Sequence, residues 1–504
     1  MLMNSLLPNA FSSDVTSLIG GEIRPVSGHE IPVFYPATGQ QIATLHEADE
    51  TEIDLAVKAA RRAFDKTDWP RLSVEKRQDI LLKIHDTIVA HADELARLEC
   101  LNLGVSMREL RERHVKRAAY NFRFFAEYIS QTKGDVYDQT PGYRSLVVRE
   151  PVGVAALIAP WNAPTALASM KVAACIAFGN TCVLKPSEQT PLALRRFVEL
   201  LHEAGLPDGV VNIVNGRGAM TGEALVNHPG IDRISFTGGT TTGRRIMSQA
   251  GLRLKPCTLE LGGKSANIVF ASADLDRALD AALVSIYSNN GQQCLAGSRI
   301  LLERSIADDF IGKFVERAGK IRIGDPMLDE TELGPLASAA HRDRVLSFAD
   351  IATSEGAELL IGGKAASLSG DLSGGYFIEP TAVLAKSNSA KVCQDEIFGP
   401  FAAFLTFDTY DEAIGMANDT QFGLVSYLWS DHLPTVEAAS RDLKSGVVWV
   451  NTTMTRELRA PFGGYKDSGI GREGGQSSEQ FYAEVKTVTI PTKPITVKKI
   501  GITD

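Results

Sequence analysis

Three side chains in this sequence combine a reactive type with a setting that could use it. Cys294 lies in Asn290-Gly-Gln-Gln-Cys-Leu-Ala-Gly-Ser-Arg299, where glycines on both sides leave room for a ligand and for the backbone N–H to approach it. A thiolate there would be a covalent nucleophile. Read alone, Cys294 is as readily an inert core thiol, because free cysteines are among the most buried residues. Glu260 lies in Thr258-Leu-Glu-Leu-Gly-Gly-Lys264. Apolar neighbours raise a carboxyl pKa, which suits a general base, although a salt-bridged structural acid fits the same residue. Asn162, in Pro160-Trp-Asn-Ala-Pro164, offers an amide donor of the kind that steadies an oxyanion. An Asn that caps a turn is the commoner case.

The elements around these residues read as α/β. Ile53, Val57, Ala60 and Phe64 recur at helical spacing, which predicts a helix from Glu52 with the acidic stretch Ala48-Asp-Glu-Thr51 at its start. More helix is expected through residues 74–130. Between Gly134 and Glu150, Val136-Tyr137 and Ser145-Leu146-Val147-Val148 flank Thr140-Pro141-Gly142, a hairpin signature read as a projecting arm. From Val152, β-rich runs alternate with helical stretches. The runs are Val154–Ile158, Thr181–Leu184, Val210–Val214 and Arg233–Phe236. That alternation predicts a parallel, doubly wound sheet with ligands at the carboxyl ends of its strands, and Asn162 follows one such strand. A second α/β series is expected from about Leu261 to Tyr465. The stretch Val485–Ile490 reads as a terminal strand able to pair with the arm's open edges.

The chain has 504 residues, enough for about three domains. Its 44% hydrophobic and 22% charged residues are an ordinary globular balance. The net charge of −9 gives no basic excess for nucleic acid. The six cysteines form neither a CxxC pair nor a zinc-like cluster, so no metal is expected, and their sparseness suits a reducing compartment. MLMNSLLPNAF lacks the build of a secretory signal, and no apolar run approaches the ~18 residues that span a bilayer. A cytoplasmic protein without a membrane partner is the expectation.

The three reactive segments resemble those of the aldehyde dehydrogenase superfamily. So do Lys185-Pro-Ser-Glu188, Phe236-Thr-Gly-Gly-Thr-Thr-Thr-Gly243, Glu396-Ile-Phe-Gly-Pro400 and Pro461-Phe-Gly-Gly-Tyr-Lys466, all in family order from about residue 20 to 490. The resemblance implies the α/β aldehyde dehydrogenase fold. Residues 1–130 and 151–259 would form a Rossmann-like NAD-binding domain, 260–465 a catalytic domain, and 131–150 with 480–500 an arm that builds a homodimer or homotetramer. It implies that Cys294 attacks an aldehyde, that Asn162 and the Cys294 N–H hold the oxyanion, and that hydride leaves to NAD to give a thioester. Glu260 would then activate the hydrolytic water. Relatives that transfer the acyl group to coenzyme A typically lack this base, so Glu260 favours the hydrolytic type.

The usual GxGxxG fingerprint is missing after the first strand. The resemblance instead lays the cofactor over the turn and helix at Gly238, Gly239 and Gly243, with Gly239 standing where many relatives have Ser. Lys185 and Glu188 would hold the adenine ribose, with Ser187 also in the cofactor set, and a carboxylate there favours NAD over NADP. Glu396 would hold the nicotinamide ribose, with Phe398 close by, though Phe398 also reads as plain core packing. Trp161 and Leu261 complete the cofactor set. For the substrate, Arg117 and Arg456 sit on the helix and loop expected to line the tunnel. The pattern resembles the branch acting on hydroxymuconic, carboxymethyl-hydroxymuconic and aminomuconic semialdehydes, in which the two arginines would clamp a carboxylate. Two alternatives stay open: a broad aliphatic or aromatic aldehyde dehydrogenase with structural arginines, and a non-catalytic NAD-binding protein of the same fold.

Overall fold

A computed structural model describes residues 12–502. The N-terminal stretch read above for a leader lies outside the described residues. The larger sheet has eight strands in the order Gly469–Ile470, Cys257–Glu260, Arg233–Thr237, Val154–Ile158, Thr181–Lys185, Val211–Ile213, Leu18–Ile19 and Glu22–Ile23. The five from Cys257–Glu260 to Val211–Ile213 are parallel. Val154–Ile158 and Thr181–Lys185 are buried at every residue, as strands covered on both faces must be, which is why they read as continuous apolar runs.

The chain passes from Val154–Ile158 outward to Thr181–Lys185 and Val211–Ile213. It then returns to the other side for Arg233–Thr237 and Cys257–Glu260. That reversal opens a crevice at the carboxyl ends of Val154–Ile158 and Arg233–Thr237. Trp161-Asn162, Lys185–Glu188, Gly238-Gly239 and Glu260-Leu261 all follow the ends of these strands.

A second, seven-stranded sheet runs Glu358–Ile361, Thr381–Leu384, Phe401–Phe407, Arg299–Glu303, Ala266–Val269, Val425–Trp429 and Val447–Val450. Cys294 lies just before the Arg299–Glu303 strand, so it approaches the crevice from this sheet.

Several boundaries differ from the sequence expectations. The first long helix is Glu50–Lys66, starting two residues before Glu52. Asp49 caps it, its carboxylate accepting the Glu52 N–H at 2.8 Å. The helical stretch 74–130 is divided into Val74–Ala90, Ala92–Leu103 and a segment from Met107 to Ile129 that contains a π-helical turn, Leu110–Val115. Gly104, at φ 77°, ends the middle piece. The terminal strand is longer than expected, Ala483–Pro491. It pairs antiparallel with Tyr143–Pro151 of the same chain, whose other edge takes Val136–Tyr137. The arm and the terminal strand therefore form one three-stranded sheet within the chain, with Ala483–Pro491 and Val136–Tyr137 at its two outer edges. Among the described residues no helix is long and apolar enough to cross a membrane.

Candidate active site

The loop carrying Cys294 begins where the Leu275–Tyr287 helix ends. Asn289, Asn290 and Gly291 then take three successive left-handed conformations, at φ 54°, 55° and 70°. Asn tolerates this backbone better than other side-chain-bearing residues, and the surroundings hold it there. Both carboxylate oxygens of Glu109 accept the Asn289 N–H at 3.0 Å. Asn290 donates to the carbonyls of Gly104 and Pro335 at 3.0 and 2.9 Å. At Gly291 a Cβ would lie 2.2 Å from the Gly399 carbonyl carbon, so no side chain fits.

This loop is tied directly to Asn162. The Asn289 amide donates to the Asn162 carbonyl at 2.9 Å, and the Asn162 amide donates to the Gln292 carbonyl at 2.9 Å. An amide nitrogen has two hydrogens, so one remains for a ligand beside Cys294. Glu260 closes the Cys257–Glu260 strand, is buried, and has no hydrogen-bond partner on either carboxyl oxygen. Burial first, and the nearby Glu473 second, hold its carboxyl well above the usual range, against the pull of Lys171, Arg456 and Arg472.

Cys294, Glu260, Asn162, Arg117 and Arg456 line one cavity of about 810 Å³. Burial pushes the Cys294 thiol up to about 12, and the carboxylates of Glu396 and Glu260 add to this. The thiol is therefore neutral at rest. Arg117 and Arg456 are each lowered to about 10, chiefly by burial, and Arg117 is also lowered by its proximity to Arg456. Both remain cationic at neutral pH. Neither guanidinium is ion-paired or hydrogen-bonded to another described residue, and the Arg456 Nε is buried without a partner. Arg456 lies over the Phe462 ring, 3.8 Å from its centroid. The carboxylates nearest to them are Glu473 and, for Arg456, Glu260, both on the wall of the same cavity.

Most of the residues expected to hold a cofactor lie at the carboxyl ends of strands in the eight-stranded sheet, while Glu396 and Phe398 precede the Phe401–Phe407 strand of the other. Gly239 is the N-cap of the Thr240–Gly251 helix, which has no side-chain cap, so its first N–H groups are free. A Cβ at Gly239 would meet nothing within 4 Å, so the absence of Ser there leaves open space. At Gly238 a Cβ would press the Phe236 ring at 2.4 Å, and at Gly243 it would press Leu261 at 2.5 Å. Lys185 is buried, donates to the Pro186 carbonyl at 2.9 Å and pairs with Glu188 at 3.6 Å. The Ser187 hydroxyl accepts the Gln189 N–H at 3.3 Å. Glu396 accepts the Gly263 N–H at 2.9 Å, and burial raises it to about 7. Phe398, at φ 65°, sets its ring 5.2 Å from that of Trp161. Gly262 and Gly263 join the two halves of the site. A Cβ on Gly262 would lie 2.3 Å from Glu396 Oε2, and one on Gly263 would lie 2.6 Å from the Cys294 carbonyl oxygen.

The model of the aldehyde dehydrogenase family matches residues 23–488, nearly the whole chain. The chain belongs to that family. It is 43% identical to the 5-carboxymethyl-2-hydroxymuconate semialdehyde dehydrogenase of Escherichia coli over 447 residues, covering 88% of this chain and 94% of that protein. It is 41% identical to a betaine aldehyde dehydrogenase of Bacillus subtilis, covering 96% and 98%. Among solved structures, HpcC of Thermus thermophilus superposes with a TM-score of 0.95 at 41% identity, covering 99% of this chain and 97% of that one. The NAD+ complex of a Bacillus cereus aldehyde dehydrogenase gives 0.92 at 39% identity, covering 95% and 97%.

Sequence reasoning missed two charged pairs in this aldehyde dehydrogenase, one fully and one partly buried. Behind Glu260, Lys171 donates to Glu473 at 2.7 Å and to the Ser235 hydroxyl at 3.0 Å. Beside the cavity, His114 meets the fully buried Glu99. The available signal was a lone Lys in the otherwise apolar Met170-Lys-Val-Ala-Ala174 run and a lone Glu in Leu98-Glu-Cys-Leu101. Neither pattern points to its distant partner.

Proposed function

We propose that this aldehyde dehydrogenase oxidises a carboxylate-bearing semialdehyde of the hydroxymuconic type to the corresponding acid, hydrolytically and with NAD. One observation carries the substrate class: Arg117 and Arg456 face the Cys294 cavity with no ion pair or hydrogen bond to a carboxylate among the described residues, the nearest acids being Glu260 and Glu473 on the same cavity wall. A carboxylate held there presents the other end of the molecule to the thiol.

The cofactor surface fits NAD. The uncapped helix N-terminus at Gly239 suits a pyrophosphate, Lys185 and Glu188 a ribose, and Glu396 a second ribose. Glu188 would repel a 2′-phosphate. Bound there, NAD supplies the hydride acceptor that the oxidation needs. The protein's own part starts at Cys294, whose thiol gives its proton to water in the cavity as the sulfur bonds to the aldehyde carbon. The free hydrogen of the Asn162 amide and the Cys294 N–H stabilise the resulting oxyanion. After oxidation the acyl group stays on sulfur as a thioester. Glu260 takes a proton from water, the water attacks, and the acid and the thiol are released. The eight-stranded sheet would serve as the cofactor domain and the seven-stranded sheet as the catalytic one, with the arm surfaces joining copies of the chain in the cytoplasm.

The betaine aldehyde dehydrogenase relative favours a second reading, a broader aldehyde range. Arg456→Ala separates the two. Loss of a charge-assisted contact of about 2 kcal/mol should raise KM for a carboxylated aldehyde about thirtyfold, with little change for a neutral one. Equal effects on both aldehydes, followed by NADH absorbance, would favour the broader enzyme. No turnover of any aldehyde, with NAD still bound, would favour a binding protein.

A further inference from the structure

The substrate cavity is bordered by a group that the chemistry above leaves unused. His114 lines the cavity from the π-helical turn Leu110–Val115, three residues before Arg117. π-Helical turns inside α-helices recur at functional sites because they re-aim one side chain. The His114 Nδ1 lies 2.5 Å from Oε1 of Glu99. The other Glu99 oxygen accepts the Thr165 hydroxyl and, at 3.4 Å, the Thr165 N–H. Thr165 opens the Pro164–Ala177 helix, so the carboxylate sits at that helix's positive end.

The short contact between Nδ1 and Glu99 fixes the ring's orientation. Nε2 has no hydrogen-bond partner among the described residues. It is the ring atom left for a ligand, on the same helix as the unpaired Arg117. A substrate carboxylate beside it would put an acceptor on each side of the ring, the condition under which both nitrogens donate.

We propose that His114 is a specificity-determining residue whose Nε2 donates to the carboxylate end of the substrate beside Arg117, with Glu99 holding the ring in place. This rests on the carboxylate-bearing substrate argued above. Two replacements separate ligand contact from bracing. His114→Asn keeps a nitrogen near the Nδ1 position for Glu99 and removes Nε2. His114→Gln places an amide near Nε2 instead. Steady-state kinetics would use a carboxylated aldehyde and a neutral aldehyde of equal length, with Arg456→Ala alongside.

His114→Asn should lower the preference for the carboxylated aldehyde about tenfold, through KM and not kcat, as expected for one charge-assisted hydrogen bond. His114→Gln should stay within about threefold of the parent enzyme, the amide replacing the donor. The reverse order, or equal losses on both aldehydes, would make the ring a structural brace and overturn the proposal. If Arg456→Ala loses the carboxylated aldehyde selectively and His114→Asn does not, the His114 assignment fails alone. If neither variant is selective, the carboxylate reading fails and takes the His114 assignment with it.

Discussion

Burial sets the resting state of both reactive groups. Cys294 is pushed up to about 12 and Glu260 well above the ordinary carboxyl range, so both hold their protons when a free carboxyl would have lost its own. In the proposed chemistry each works in its deprotonated form, so turnover should climb as pH rises from the usual carboxyl range through neutrality into the alkaline region. A rate profile flat from pH 5 to 9 would contradict this. Lys171 opposes the rise in Glu260 from behind. Lys171→Met should therefore move the rising limb further alkaline and lower the rate at pH 7 severalfold. An unmoved profile would detach Lys171 from Glu260. The reactive trio could be read from the sequence because each lies within its own short motif. The Glu99–His114 and Lys171–Glu473 pairs could not, since their members stand 15 and 302 residues apart and only the fold joins them.

Strand ends aim the site. The central strands were legible because they are covered on both faces and read as uninterrupted apolar runs. Their exact ends, the early start at Glu50 and the π-helical turn were not, because caps and single hydrogen bonds decide them. The terminal strand read as β from its own residues. Its partner depended on where the arm falls in space, and Tyr143–Pro151 of the same chain proved to be that partner. The Gly262-Gly263 link gives the sharpest test of an element. In Gly263→Ala the new methyl must displace the Cys294 carbonyl, which lies 2.6 Å from where it would sit. Since displacement of about 1 Å can cost a hundredfold, kcat should fall about a hundredfold while the melting temperature shifts little. An unchanged kcat would show that the loop is not held by this contact.

Across the whole molecule, two sheets meet so that one supplies Asn162 and Glu260 and the other supplies Cys294. Neither sheet alone contains the proposed chemistry. The family was legible along the whole chain because its motifs occur in order; the sequence also named Arg117 and Arg456, and the fold brings these two residues from separate elements to one cavity. The arm sheet still carries exposed Val136, Tyr137, Val485 and Ile490. Apolar residues on an open sheet edge invite association, so light scattering should give a multiple of 54.4 kDa. A monomeric mass would contradict assembly through the arm. The most direct test of the central claim is the mass of the Glu260→Gln protein after mixing with NAD and a carboxylated aldehyde. With the proposed base removed, the protein should gain one acyl group, mapped to the Cys294 peptide and absent in Cys294→Ala. An unmodified Cys294 peptide despite NADH formation, or an acyl group on another residue, would contradict the account.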